Sequence, residues 1–230
     1  MRRRIHPGRS GGTVIDSVNP DDHAAWWEAV YSNTTLVTQI TTTDVTSSGT
    51  MPGLLATMLT ALRINAGDNV LHVGTGTGYT AALLCEGLGS SKVTTVDIDP
   101  DLSNAARTRL DHLGYAPAVV TGNGAQGYAP NAPYDAILAT CALRRIPVDW
   151  LAHTVPGARI VAPLATGLIA LDVTGPGHAS GRFLAPGGFF MPLRDTKQRD
   201  KPTTPAPGAT PEPLNWDHAK PSTTITCGSC

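Results

Sequence analysis

Along the middle of the chain, short apolar runs alternate with longer stretches whose apolar residues recur every three or four positions. The runs NVLHV (69–73), KVTTVDI (92–98), PAVVT (117–121), YDAILAT (134–140) and ARIVAPL (158–164) predict strands. Segments 79–88 and 101–113 predict helices between the first three. A strand buried on both sides shows no polar alternation, so this pattern predicts a mostly parallel sheet with helices on both faces. Upstream, Asp21 or Asp22 caps a helix HAAWWEAVY, in which Trp26 and Val30, and Trp27 and Tyr31, fall four apart. The two tryptophans are read as core or as walls of a peptide groove. Pro52 opens a second helix, where Leu54, Leu55, Met58, Leu59 and Leu62 form one buried stripe. After Leu164 come LIALDV, SGRFL and GGFFMPL, separated by Gly and Pro, which predict antiparallel additions at one edge of the sheet.

The ends of the chain differ from this middle. Residues 1–20 are polar, glycine-rich and without period, so they are expected to form a flexible arm, its Arg2-Arg3-Arg4 run a solubilising cluster. Residues 195–230 are rich in Pro and Thr and poor in aliphatic side chains; a disordered tail is expected there, with Trp216 its one anchor. That leaves 21–194 as the folded domain. With 17 basic against 18 acidic residues, the chain lacks the basic excess of a nucleic-acid binder. No apolar run reaches the roughly 18 residues of a membrane span, and the basic N-terminus lacks the apolar core of a secretory signal. Four cysteines (Cys85, Cys141, Cys227, Cys230) are too few and too uneven for a disulfide scaffold. Cys227 and Cys230 supply half a metal site at most, and no metal is expected. A soluble enzyme of the cytoplasm is the class that survives.

The chemistry concentrates in Val73-Gly74-Thr75-Gly76-Thr77-Gly78-Tyr79, where a strand runs into glycines and a helix follows. Glycine lets the backbone turn sharply and approach a ligand that any Cβ would strike. Asp97 closes the next strand, about 20 residues on, where an acidic side chain accepts from the ribose hydroxyls of an adenosine cofactor. A dinucleotide site uses G-x-G-x-x-G. Here the third glycine comes one residue early and Tyr79 takes its place, which fits S-adenosylmethionine, a cofactor with no pyrophosphate to cradle. Ile98 beside Asp97, and Asn123 and Gly124 after the third strand, are expected near the adenosine.

These residues resemble the protein-L-isoaspartate (D-aspartate) O-methyltransferase family of class I methyltransferases. The likeness covers roughly residues 45–165, through VLHVGTGTGYTAALL, VTTVDIDPDL, GNGAQGYAPNAPYDAILAT and IPVDWLAHTVPGARIVAPL. The resemblance implies a Rossmann-like α/β sandwich with a mostly parallel seven-stranded sheet, S-adenosylmethionine as cofactor, and an aspartyl or isoaspartyl residue of a protein or peptide as acceptor. It implies Gly74, Thr75, Gly76, Thr77, Gly78, Asp97, Ile98, Asn123 and Gly124 at the cofactor. The family's Ser/Thr-x-Pro matches Thr50-Met51-Pro52, so Thr50 is the candidate catalytic hydroxyl and Ser48 the second. Thr50 also suits a helix cap, and both roles stay open. The family's glutamate before the glycine loop is His72 here, and its aspartate between the later glycines is Asn123. GRFLAPGGFFMPLR and the tail look more like members associated with modified ribosomal peptides.

A carboxylate, with a pKa near 4, is already an ionised nucleophile at pH 7. Methyl transfer to it needs alignment and exclusion of water rather than a general base, in keeping with the absence of a Ser/His/Asp or Cys/His set. The aspartyl ester then closes to a succinimide through the next backbone nitrogen, which serves either repair of isoaspartate or modification of one precursor peptide. Arg144 and Arg145 are read as partners for substrate carboxylates or as a solvated loop; Cys141 as a small strand-end residue. A small-molecule methyltransferase and a non-catalytic cofactor-binding protein are the rival readings.

Overall fold

The computed structural model describes residues 4–7, 14–41, 44–185 and 188–195, arranged on two sheets. The smaller is antiparallel, in the order β2-β1-β3-β4, from β1 (Arg4–Pro7), β2 (Ile15–Asp16), β3 (Leu36–Ile40) and β4 (Val45–Gly49). The arm expected over residues 1–20 therefore contributes two strands, and the folded unit extends N-terminal to residue 21. Helix α1 (His23–Tyr31) closes this sheet: Ala29 is buried with Ile5 and Ile15, and Trp26 and Leu36 pack on them. Trp27 is not core. It is 57% exposed and stacks on Tyr31 at a centroid distance of 5.9 Å.

Helix α2 (Pro52–Leu62) buries Leu54, Leu55, Met58 and Leu62 of the stripe its spacing predicts, with Leu59 half-buried, and ends at Arg63 in the left-handed region. The larger sheet then begins. Its strands are β5 (Val70–Val73), β6 (Val93–Asp97), β7 (Ala118–Thr121), β8 (Tyr134–Ala139), β9 (Thr154–Leu164), β10 (Gly167–Gly175) and β11 (His178–Leu184), in the order β11-β10-β9-β8-β5-β6-β7. From β9 to β7 every pair is parallel, whereas β9, β10 and β11 are antiparallel neighbours. Helices α3 (Tyr79–Leu88), α4 (Pro100–His112) and α5 (Val148–Ala152) supply crossovers. Asp99 caps α4, accepting from the N–H groups of Asp101 and Leu102, and Pro100 occupies the first turn, where no N–H is needed.

The apolar runs split by the period of two. Leu71, Val73, Ile137 and Ala139 join one core cluster, while Val70, Ala136 and Leu138 join the other. Both faces of the sheet are thus dry, as the absence of alternation requires. One polar pair crosses the antiparallel edge: Arg159 on β9 bonds its register partner Asp172 on β10 and also donates to the Ala61 carbonyl of α2.

LIALDV and SGRFL form β10 and β11, but GGFFMPL adds no further antiparallel strand. Its described part is a strap that meets the segment after β8 at one parallel bridge, Ala142 with Pro192. Ala142 donates to the Met191 carbonyl and accepts from the Leu193 N–H, each at 2.8 Å. Pro192 has no N–H, so the ladder does not continue through it. The expected tail beyond Asp195, with Trp216, Cys227 and Cys230, lies outside the described residues. Among the described residues no helix is long and apolar enough to cross a membrane.

Candidate active site

The parallel strands end together, and at their C-terminal edge lies an open cavity. Edges of this kind are where open α/β sheets bind ligands. Its walls include the glycine turn after β5 (Gly74, Gly76), the end of β6 (Asp97, Ile98), Leu102 of α4, Gly124 after β7, the segment after β8 (Thr140, Cys141), and β4 (Thr46, Ser47, Ser48). The strap, through Met191, Pro192, Leu193 and Arg194, forms a further wall.

The turn needs its glycines. Gly74 has φ +101°, and a Cβ there would lie 2.8 Å from Thr140 Oγ1. Gly76, at φ +51°, faces Ser47 Oγ, which such a Cβ would approach to 3.7 Å. Both positions need φ values that side chains disfavour, and at Gly74 a side chain would also fill the wall. The turn is tied to its neighbour strand, because Gly74 N–H donates to the Val96 carbonyl at 2.9 Å.

Asp97 is held rigidly. Its Oδ2 accepts from Gly76 N–H at 2.8 Å and its Oδ1 from Asp99 N–H at 3.1 Å. Each oxygen keeps a lone pair for a ligand hydroxyl. Burial pushes the carboxyl above the ordinary range; the two backbone donors and the Arg194 guanidinium pull it back, and Asp99 adds a small upward push.

The strand β4 hydroxyls are differently committed. Thr46 donates to Gln39 Oε1 at 2.8 Å, while Ser47 accepts from Thr38 at 2.9 Å and so keeps its own proton to give. Ser48 lines the cavity and Thr50 does not; Thr50 sits half-buried between the end of β4 and the first residues of α2. Cys141 is buried, its thiol pushed up to about 12 chiefly by burial, which disposes of it as a nucleophile.

Of the residues expected at a cofactor, Gly74, Gly76, Asp97, Ile98 and Gly124 line the cavity. Thr75 turns its hydroxyl under the turn, 2.7 Å from Thr95 Oγ1. Thr77 offers its carbonyl to Arg109, and Gly78 caps α3 against Ala106 of α4. Asn123 is engaged elsewhere: its Oδ1 accepts from Ala125 N–H and its Nδ2 donates to Asp195 Oδ1, both at 3.0 Å. Arg144 and Arg145 are exposed and outside the cavity wall; Arg194 is the arginine within it. The sequence reading missed Thr46, Ser47, Thr140 and the strap. Only FFMPLR, an apolar run ending in a cation after the last strand, hinted at a covering segment.

The doubly covered sheet with its antiparallel β9-β10-β11 edge, and the glycine turn set against Asp97, define a class I methyltransferase fold. A solved structure of a protein-L-isoaspartate O-methyltransferase superposes with TM-score 0.67 over 74% of this chain and 55% of its own, at 22% identity. A Plasmodium falciparum chain described as a beta-aspartate methyltransferase, solved with S-adenosyl-L-homocysteine, superposes with TM-score 0.57 over 71% of this chain and 81% of its own, at 18% identity. The family model of protein-L-isoaspartate(D-aspartate) O-methyltransferase matches residues 13–173, and the chain belongs to that family. Protein-L-isoaspartate O-methyltransferases of Ignicoccus hospitalis and Methanoculleus marisnigri are 42% and 44% identical to it over 115 and 114 residues. Each alignment covers 49% of this chain, and the chain spans about half the length of these relatives, 54% and 51%.

Proposed function

We propose that this chain is an S-adenosylmethionine-dependent carboxyl O-methyltransferase acting on aspartyl or isoaspartyl residues of a protein or peptide. The observation that carries the reading is the pairing of Gly76 with Asp97 at 2.8 Å beneath a cavity whose far wall is the hydroxyl-bearing strand β4. The residues present fit the cofactor: Gly74 and Gly76 leave a bare backbone surface at the cavity, and Asp97 presents free lone pairs to a ribose. When bound, S-adenosylmethionine supplies an electrophilic methyl group.

This chain's own residues do the rest. Asp97 holds the ribose, and Ile98 and Gly124 flank the adenosine. Either Ser48, in the cavity wall, or Thr50, two residues on, donates to the acceptor carboxylate and orients it, and the strap shields the cavity from water, which raises the reactivity of the anionic oxygen. No side chain has to remove a proton, since the carboxylate is ionised at neutral pH. The buried Cys85 and Cys141 are free thiols, in keeping with a cytoplasmic protein.

The test is incubation of the full chain with S-adenosylmethionine and matched isoaspartyl and aspartyl peptides, following methyl ester and succinimide by mass. Ester on the isoaspartyl peptide supports repair; ester on an aspartyl peptide alone supports dedicated peptide modification. Failure of both classes of peptide, with the cofactor bound, overturns the acceptor assignment.

A further inference from the structure

His72 lies on β5 two residues before the glycine turn and is fully buried. Each ring nitrogen meets a hydroxyl: Nδ1 is 2.9 Å from Thr95 Oγ1 and Nε2 is 3.1 Å from Thr140 Oγ1. Beyond them, Thr95 Oγ1 lies 2.7 Å from Thr75 Oγ1, and Thr140 Oγ1 donates to the Gly74 carbonyl at 3.0 Å, with the Val73 carbonyl at 3.4 Å. The chain of contacts therefore joins β5, β6 and the segment after β8 and ends on the first glycine of the turn.

Proton counting sets its direction. A hydroxyl has one hydrogen to give, and that of Thr140 goes to backbone carbonyls of the turn. Thr140 thus offers only lone pairs to the imidazole, and the ring hydrogen is on Nε2. Nδ1 is then an acceptor, taking the hydrogen of Thr95, whose oxygen in turn accepts from Thr75. Every donor points the same way, from Thr75 to Gly74, an order in which each bond polarises the next. An imidazolium has a hydrogen on both nitrogens and would reverse the Thr95 link. Burial opposes that form independently, lowering the ring's pKa to about 3.

We propose that His72 is a positioning residue for the cofactor turn: as the Nε2–H tautomer it holds the Thr140 hydroxyl on Gly74 and fixes the turn without placing a charge beneath the cavity. The proposal rests on the reading of that turn as the cofactor site. It assigns His72, Thr95 and Thr140 a joint task, because the loss of either hydroxyl leaves a ring nitrogen buried without a partner.

Two measurements test it. Nitrogen NMR of the full chain with labelled histidine is expected to show a protonated-type Nε2 and a bare Nδ1; the opposite tautomer overturns the assignment. Calorimetry with S-adenosylhomocysteine is expected to give about tenfold weaker binding for His72→Leu and Thr140→Val, while His72→Gln and Thr140→Ser, which keep the donors and acceptors, recover most of it. Wild-type affinity in a folded Thr140→Val variant overturns the positioning role, and this pair decides the matter where His72→Leu fails to fold. If the wild-type chain binds no S-adenosylhomocysteine, the cofactor reading fails, and the tautomer still shows whether the hydrogen-bond chain is as described.

Discussion

Gly76 donates its backbone N–H to Oδ2 of Asp97 at 2.8 Å, so the glycine turn that borders the cavity also fixes the direction of the Asp97 carboxylate. Asp97→Asn keeps the size of the side chain but replaces one acceptor oxygen by a donor. S-adenosylhomocysteine binding is expected to weaken by about 1–3 kcal/mol, the scale of a hydrogen bond to a charged group. Isothermal calorimetry reads this directly; unchanged affinity would remove Asp97 from the site.

The same carboxyl gives a pH signature. Burial raises its pKa, so it takes up a proton at a higher pH than an ordinary aspartate. Affinity for the cofactor should fall as the pH drops through that raised value, since the protonated form loses an acceptor. The Arg194 guanidinium acts in the opposite direction and favours the ionised form. Arg194→Gln is therefore expected to move the weakening to higher pH, and Asp97→Asn to abolish it. Calorimetric titrations across the acidic range distinguish these curves.

Acid stability has two contributions of opposite sign. His72 has a folded pKa of about 3 against 6.5 when free, so the stability it contributes is present above 6.5 and is lost as the pH falls toward 3. The slope is about 1.4 kcal/mol per pH unit within that window. Asp97, with its pKa raised, contributes stability that is complete below its ordinary pKa and is lost as the pH rises through its folded value. Melting curves of the wild type and His72→Gln should converge in acid and diverge toward neutrality; parallel curves would contradict the burial of a neutral ring.

Turnover should respond to the hydroxyls near β4 without a matching change in cofactor affinity. Thr50→Ala is expected to lower kcat/KM for the acceptor peptide by about 10- to 100-fold, the equivalent of one charge-assisted hydrogen bond. Ser48→Ala should have a similar or smaller effect. Because Ser48 lines the cavity and Thr50 does not, the ratio of the two losses tells which hydroxyl meets the carboxylate. Equal loss of cofactor binding and turnover in Thr50→Ala would assign it to folding alone; it is not the cap of α2, whose first turn is met by the Asn33 side chain at Gly53 N–H.

The parallel core was legible because its physics is local in sequence. Val70–Val73 and Val93–Asp97 are buried throughout, and their β-branched residues, bounded by a glycine turn and a helix start, mark them as strands despite the polar His72, Thr94, Thr95 and Asp97. α1, α2 and α3 begin and end where their spacing and Pro52 or Gly78 indicate. The small sheet was not legible. LVTQI and VTSSG each bury a single residue, Val37 and Ser47, so neither carries a buried run, and their pairing rests on contacts across a turn. The strap escaped for a related reason: one bridge at Pro192 leaves no periodic trace. Asn123 and His72 show a third limit, since a residue's type names the bonds it can make and only the fold says whether Asp195 or Thr95 makes them.

In the proposed function, donor and acceptor duties fall to separate pieces of architecture. On that reading the adenosyl side belongs to the larger sheet, whereas the side facing a peptide belongs to β4, an outer member of the antiparallel layer, joined across by Gln39 reaching Asp99 at 3.3 Å. A lineage could exchange its N-terminal ribbon for another and acquire a new clientele while its methyl supply stayed as it was. Chimeras that transplant residues 14–49 between relatives are the natural place to look for altered peptide choice.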